Sequence, residues 1–166
     1  MPDPAEALIA ALELEPHVEG GYFRRIYSGE PELSVATAGG ERPTLTSIQY
    51  LLTTVAPVGH FHRNRSTIVH YFQLGDPLCY RLFHPDGRLE TMTLGPDVAA
   101  GQRLTLVVPG GIWKSSELLP GKHGYGLIAE AVSPGFDYRD MALGQAEDLA
   151  ALRPADAALV RRLCRA

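Results

Sequence analysis

Residues 67–97 contain the segments TIVHYFQL, GDP, LCYRLFH, PDG, RLETMTL and GPD in that order, and this stretch decides the fold. Three runs rich in β-branched and aromatic residues are separated by tripeptides built from glycine, proline and aspartate. Runs of this kind are typical of short strands. Asp86-Gly87, between the second and third runs, predicts a hairpin.

Similar strand-like runs lie on both sides of this stretch. They cover residues 22–27, 44–54, 103–108, 112–118 and 125–132. Residues 29–43 are rich in glycine and proline and predict a long loop. Many short strands at near-even spacing are typical of an all-β sandwich or barrel, which we expect to span about residues 21–141.

Helices are predicted only at the two ends of the chain. Asp3 before Pro4, with Glu6 three residues after the aspartate, is a helix-start pattern. It predicts a helix over about residues 4–14, and a helical tail is predicted over about residues 145–164. The 166 residues are therefore expected to form a single domain.

Composition narrows the possible partners and location. The net charge of −4 argues against a nucleic-acid-binding protein, which usually has a basic face. No apolar run reaches the roughly 18 residues that a membrane span needs, and the acidic N-terminal residues do not predict a signal peptide. Cys79 and Cys164 have no closely spaced partner and are expected to be free thiols in a reducing cytoplasm. These features favour a cytoplasmic protein that binds neither nucleic acid nor a membrane.

Residues 59–70, GHFHRNRSTIVH, contain three of the six histidines. In an extended segment, residues two apart face the same side, so His60 and His62 are predicted to point together. His70, on the following strand, could return to that side. Three neutral imidazoles around one point could hold a divalent metal ion with open positions for water or substrate. The alternative is that the pair consists of two polar side chains in a water-filled pocket.

Glu130 lies within the apolar run 127–132, LIAEAV. A carboxylate buried without a partner in such a strand is costly, so Glu130 should contact Lys114 or a histidine. The alternative is an edge position that faces water.

Three further strand residues are candidate ligand contacts: Gln49, Gln73 and Trp113. Alternation places Gln49 and Tyr50 on opposite faces of one strand, and we favour Gln49 as the residue that faces the pocket. Trp113 is interpreted as a pocket wall or a core residue.

The sequence resembles the cupin superfamily in two motifs. Its residues match the first motif at Gly59, His60, His62 and Gly75, and the second motif at Gly101, Pro109 and Gly111. From about Leu12 to Met141 it more closely resembles the cupin-5 family. The resemblance is carried by blocks such as PHVEGGYFR (16–24), TSIQYLL (46–52), VPGGIWK (108–114) and SPGFDY (133–138). It implies a jelly-roll barrel, paired as a homodimer, with a ligand pocket inside the barrel.

The departures from the cupin motifs change the expected site. The glutamate of the first motif is missing, and Lys114 stands where the second motif has its histidine. The standard site of three histidines and one glutamate is therefore not carried over, and a divalent metal would need a different set, His60, His62 and His70. If Lys114 replaces a ligand, its amine points into the barrel, where it could act as a base or bind an anion. The alternative is a lysine at the barrel rim with its amine in water.

The resemblance also implies that Arg24 and Tyr138 line the mouth of the pocket, although an ion pair between the first and last strands would explain such residues equally well. The predicted function is binding of a small polar, possibly anionic metabolite. An enzyme of the epimerase or isomerase kind would use His60, His62 or His70 as its acid–base group, with Glu130 as a further catalytic group. Lys114 would stabilise developing negative charge. Metal-assisted chemistry and a non-catalytic binding protein remain the alternatives.

Overall fold

The computed structural model describes residues 3–166. Its helices are α1 (Pro4–Ala11), α2 (Ala146–Leu152) and α3 (Ala157–Arg162). Its strands are β1 (Glu15–Pro16), β2 (Tyr22–Ser28), β3 (Ser34–Thr37), β4 (Gly40–Pro43), β5 (Thr46–Thr53), β6 (Val58–Asn64), β7 (Thr67–Gly75), β8 (Leu78–Phe83), β9 (Leu89–Leu94), β10 (Thr105–Val108), β11 (Trp113–Leu118), β12 (Tyr125–Ser133) and β13 (Met141–Leu143). No helix of this part of the chain is long and apolar enough to cross a membrane.

Two antiparallel sheets form the body of the protein. One has six strands in the order β1-β2-β5-β12-β7-β10, and the other has five in the order β13-β6-β11-β8-β9. From β5 to β8 the chain passes from one sheet to the other at each strand, and it does so again from β9 to β12. This is jelly-roll topology, and the predicted all-β jelly roll with short terminal helices is confirmed. Asp86-Gly87 connects β8 to β9 as the predicted hairpin.

The core lies between the two sheets. Tyr50, Leu52 and Ile128 from the six-stranded sheet pack with Tyr80 and Leu82 from the five-stranded sheet. All of these side chains are almost completely buried. Removing this apolar surface from water stabilises the fold by roughly 25 cal/mol for each Å².

The terminal helices cover the outer faces of the sheets. Leu14, which follows α1, packs with Leu51 and Leu127 of the six-stranded sheet. Helices α2 and α3 cover the five-stranded sheet, where Leu149 and Val160 belong to the same cluster as strand residues. Consequently both faces of β5 and β6 are partly apolar. The alternation of apolar and polar residues, which would show which face is buried, is therefore weak in these strands.

The segment 29–43 is more ordered than the sequence predicts, because β3 and β4 pair as a two-stranded ribbon within it. Arg42 fixes this ribbon to the body of the protein. Its buried guanidinium donates to the Asp140 carboxylate at 2.7 and 2.9 Å. The N-terminal helix is shorter than predicted, since it ends at Ala11 and Glu13 then takes a left-handed conformation with φ of 52°.

Candidate functional site

Five ionisable side chains are buried together inside the barrel: Glu19, His62, His70, Lys114 and Glu130. Each is 6% exposed or less. Strand register explains how they meet, because Lys114 lies opposite His62 and Glu130 lies opposite His70 in their sheets. Buried charges are costly unless they are paired, so the contacts among these groups determine what the site can do.

Lys114, His70 and Glu130 form a cluster that we call the inner triad. Lys114 Nζ lies 2.9 Å from His70 Nε2, and His70 Nδ1 lies 3.2 Å from Glu130 Oε1. An ammonium group can only donate, so Nε2 accepts and the ring hydrogen is on Nδ1, where it is donated to Glu130. The triad is therefore a neutral imidazole held between a cation and an anion.

The electrostatics of the inner triad agree with this assignment. Burial lowers the pKa of His70, and the nearby charge of Lys114 lowers it further, so the ring stays neutral. Burial alone raises the pKa of Glu130, but Lys114 and His70 more than offset this, and its pKa lies well below the ordinary value. The triad is thus a fixed arrangement of charges at neutral pH.

His62 and Glu19 form a second cluster, which we call the outer dyad. His62 Nδ1 lies 2.7 Å from the His60 carbonyl oxygen, which can only accept, so Nδ1 carries a hydrogen. His62 Nε2 lies 3.0 Å from Glu19 Oε2. Burial alone raises the pKa of Glu19, but the charge and hydrogen bond of His62 more than offset this and lower it. An ionised Glu19 can only accept in this contact, so a hydrogen bond forms here when Nε2 carries a hydrogen.

Both clusters border one cavity between the two sheets, which Glu19, His62 and Glu130 line. The empty volume of this cavity is about 380 Å³, which includes space open to solvent. Its apolar walls are Phe23, Ile48, Ile68, Val132 and Phe136, and its polar groups include Glu19, Arg25, His62, Asn64 and Glu130. A few polar groups within an apolar concave surface are typical of a small-molecule site.

Comparison with known proteins assigns the family. The family model described as Cupin superfamily (DUF985), cupin-5, matches residues 6–144. The chain belongs to this cupin family. An uncharacterised protein of Saccharomyces cerevisiae, YML079W, is 39% identical in an alignment 163 positions long, which covers 89% of this chain and 80% of the yeast protein.

Solved structures support the same assignment. A hypothetical protein from Leishmania major is 30% identical with a TM-score of 0.88, over 98% of this cupin and 99% of that protein. A Shewanella oneidensis protein is 38% identical with a TM-score of 0.86, over 99% of both chains. Oxalate decarboxylase from Bacillus subtilis shares the fold at 14% identity and a TM-score of 0.55, over 89% of this cupin and 36% of the enzyme.

The prediction that His60 points with His62 is wrong, because a β-bulge separates them. Lys114 pairs with His62 and Ser116 with Gly59, so β6 has one more residue than β11 over this interval. Phe61, the neighbour of His62, packs with the C-terminal helices on the opposite face. The His60 side chain interacts with the backbone of Leu163 and leaves the cavity.

The predicted metal set of His60, His62 and His70 is therefore not formed in this cupin. A histidine ligand needs a free nitrogen lone pair, and that of His70 Nε2 already accepts from Lys114. Within residues 3–166, no group of three or more histidine, cysteine, aspartate or glutamate side chains is arranged to hold a metal ion. The residues present do not fit a resident metal, and the ammonium of Lys114 supplies the positive charge at this position.

The preferred facing of β5 is reversed. Thr46 and Ile48 line the cavity, and Tyr50 lies in the core, where its hydroxyl donates to the Gly20 carbonyl at 2.7 Å. Gln49 therefore shares the outer face with Leu51, which is covered near α1. The sequence pattern was misleading because this cover makes the outer face apolar too.

Three other predicted contacts also lie outside the cavity. Gln73 is exposed, on the face opposite His70. Trp113 packs near the C-terminal helices, with the Arg63 guanidinium 4.6 Å from its ring centroid. Arg24 pairs with Glu13 at 2.6 Å on the outer face of β2, and it is the next residue, Arg25, that lines the cavity.

Tyr138 does lie beside the mouth of the cavity. It is half-exposed and stacks against His17 with a centroid separation of 6.2 Å. His17, which was not among the predicted site residues, lines the cavity, and burial lowers its pKa.

Sequence reasoning missed Glu19 and Asn64. The available signal was Gly20-Gly21, because both glycines have positive φ, 99° and 69°. A Cβ on Gly20 would lie 2.1 Å from the Val58 carbonyl oxygen, so the turn approaches β6 closely. This contact, together with a 2.6 Å hydrogen bond from the His60 amide to the Glu19 carbonyl, brings Glu19 beside His62.

Proposed function

We propose that this cupin is an enzyme that transfers a proton on a small polar molecule bound inside the barrel, with His62 as the acid–base group. The observation that carries the proposal is the outer dyad: His62 Nε2 lies 3.0 Å from Glu19 Oε2, and both residues line the cavity. A histidine can donate and accept protons near neutral pH. The orientation of the ring is fixed by the 2.7 Å contact with the His60 carbonyl.

The reaction class follows from the number of proton-exchanging groups. The dyad alternates between holding one proton and holding none. When Nε2 of His62 carries no proton, it takes one from a substrate carbon next to a carbonyl, and Glu19 stabilises the resulting imidazolium. The C–H electron pair moves into the substrate as an enolate, and the proton returns to a neighbouring carbon or oxygen. Because one group serves one face of the substrate, an isomerisation fits better than an epimerisation.

Glu130 has a different part in this proposal. Its pKa lies well below the ordinary value, so it is a weak base. It lines the cavity as an ionised carboxylate and can accept hydrogen bonds from substrate hydroxyl groups. Lys114 and His70 keep it ionised and fixed, and they act through Glu130 as positioning residues.

The test is solvent deuterium exchange followed by proton NMR. Dihydroxyacetone, glyceraldehyde, their phosphates and 2-oxobutyrate are incubated with the protein in D₂O, and loss of C–H signals is measured alongside binding of each compound. We expect exchange of at least one bound compound, reduced by about 100-fold or more in His62→Gln. His84→Gln is the matched control, because His84 pairs with Glu90 away from the cavity. Binding without exchange above the His62→Gln rate would indicate a non-catalytic binding protein instead.

A further inference from the structure

Arg25 is a cation at the mouth of the cavity that forms no ion pair within residues 3–166, whereas its neighbour Arg24 pairs with Glu13. Its guanidinium carbon lies 5.7 Å from the centroid of the Phe136 ring, which also lines the cavity. The aromatic face supports the cation and leaves its N–H groups free. A guanidinium held in this way suits a carboxylate or phosphate group of a ligand.

Asn64 provides a second, independent feature of the same cavity. The residue is 8% exposed, and its side-chain Oδ1 is buried with no hydrogen-bond partner. Its backbone carbonyl, in contrast, accepts from the Gly111 amide at 2.8 Å. An unsatisfied buried acceptor is costly, so a donor from a ligand would restore the missing hydrogen bond.

The placement of these groups limits the ligand. Asn64 follows His62 by two residues on the inner face of β6, which separates their backbone positions by about 7 Å. The cavity between them has apolar walls such as Ile68 and Val132. Glu19 and Glu130 are each paired within the two clusters, whereas Arg25 has no ion-pair partner among residues 3–166, so its charge favours a ligand anion beside it.

We infer that the cavity binds a small hydroxylated oxyanion of about three carbon atoms, a hydroxy acid or a sugar phosphate, which spans roughly the distance between neighbouring inward-facing residues of β6. Arg25 binds the carboxylate or phosphate, the Asn64 side chain accepts from a hydroxyl group, and the reacting carbon lies at His62. This inference rests on the proposed function, because it names the substrate class of the same site.

Calorimetric titration with four probes tests the inference. The probes are glycerol 3-phosphate, glycerate, propionate, which lacks the hydroxyls, and glycerol, which lacks the charge. We expect the two hydroxylated anions to bind at least about tenfold more tightly than propionate and glycerol. The ratio of their Kd values shows whether phosphate or carboxylate is preferred.

Two variants separate the contributions of Arg25 and Asn64 to ligand binding. Arg25→Gln is expected to weaken both hydroxylated anions by about tenfold or more, while Arg24→Gln, the same change on the outer face, leaves Kd within about twofold. Asn64→Leu should remove the preference for glycerate over propionate. It should not lower Tm, because it replaces an unsatisfied amide with an apolar group of similar size.

The inference is overturned if none of the probes binds at about 50 mM, if glycerol binds as tightly as glycerate, or if the two arginine variants behave alike. Because binding is measured without turnover, failure of the proposed function is distinguishable. Binding of glycerate or glycerol 3-phosphate with no deuterium exchange overturns the proposed function alone. Exchange of neutral substrates with a KM that Arg25→Gln leaves unchanged overturns the substrate class alone.

Discussion

The inner triad and the outer dyad are built from similar side chains but hold their protons in different ways. In the triad, His70 is bonded at both nitrogens, to Lys114 at 2.9 Å and to Glu130 at 3.2 Å, so its proton position is fixed. In the dyad, only one nitrogen of His62 is fixed by the backbone. The other shares its proton with Glu19 at the cavity surface. A histidine held between two buried charges has a structural role, whereas a histidine that shares a proton with a carboxylate at the cavity surface can exchange that proton with a ligand.

The largest expected effect comes from breaking the inner triad at Lys114. Lys114→Met leaves the Glu130 carboxylate buried without its cation, so we expect a loss of about 3–5 kcal/mol in the free energy of unfolding. Urea denaturation followed by tryptophan fluorescence measures this loss, and Lys122→Met, on an exposed lysine, is the control.

A second substitution checks the cause of that loss. If the uncompensated carboxylate is responsible, adding Glu130→Leu to Lys114→Met should recover much of the stability, since both charges are then gone. A double variant as unstable as the single one would show that Lys114 stabilises the fold by packing alone.

The pH dependence of the free energy of unfolding tests the charge states assigned to the two clusters. As the pH falls, buried histidines affect this free energy at a higher pH than the carboxylates do. Burial holds the pKa of His70 below its ordinary value of 6.5, so the unfolded chain binds that proton more tightly. The free energy of unfolding should therefore be at its full value above about pH 6.5 and fall as the pH drops below it, by at most about 1.4 kcal/mol per pH unit for each such histidine. Glu19 and Glu130, with pKa values below 4.5, add a second loss of the same sign below about pH 4.5.

Urea midpoints between pH 4 and pH 8 measure this dependence. His70→Gln should make the first step shallower. An equal slope in wild type and His70→Gln would contradict the assignment of a neutral, buried ring to the inner triad.

The sequence predicted more of the fold than of the site because the two depend on different information. Strand runs and turn tripeptides are local, and they were sufficient for the jelly roll and for the β8–β9 hairpin. Which residues face the cavity depends on parity along each strand, and a single bulge at His60–Phe61 reverses that parity. The predictions that Gln49 and Arg24 contact the ligand are wrong for a related reason. Helix α1 and the residues after it pack on the outer face of the six-stranded sheet, so residues on that face also have partners.

The two carboxylates of the site, Glu130 and Glu19, differ in how far the sequence predicted their contacts. A carboxylate in an apolar strand needs a partner, and this argument alone predicted a histidine or Lys114 beside Glu130, where the structure places both. For Glu19 the only sequence signal was the adjacent glycine pair, and that pair does not predict that the turn at Gly20 approaches β6.

The smallest effects come from the two tyrosine hydroxyls that support the clusters. Tyr50 donates to the Gly20 carbonyl at 2.7 Å and so fixes the turn that carries Glu19, whereas Tyr80 Oη lies 3.5 Å from His70 Nδ1. Hydrogen bonds weaken at such long distances. We expect Tyr50→Phe to reduce the free energy of unfolding by about 1 kcal/mol and Tyr80→Phe by less than about 0.5 kcal/mol, measured by urea denaturation. Tyr50→Phe should also reduce deuterium exchange by loosening the outer dyad, while Tyr80→Phe should leave exchange unchanged. A larger stability loss in Tyr80→Phe would mean that the inner triad, and not the turn at Gly20, depends on a tyrosine hydroxyl.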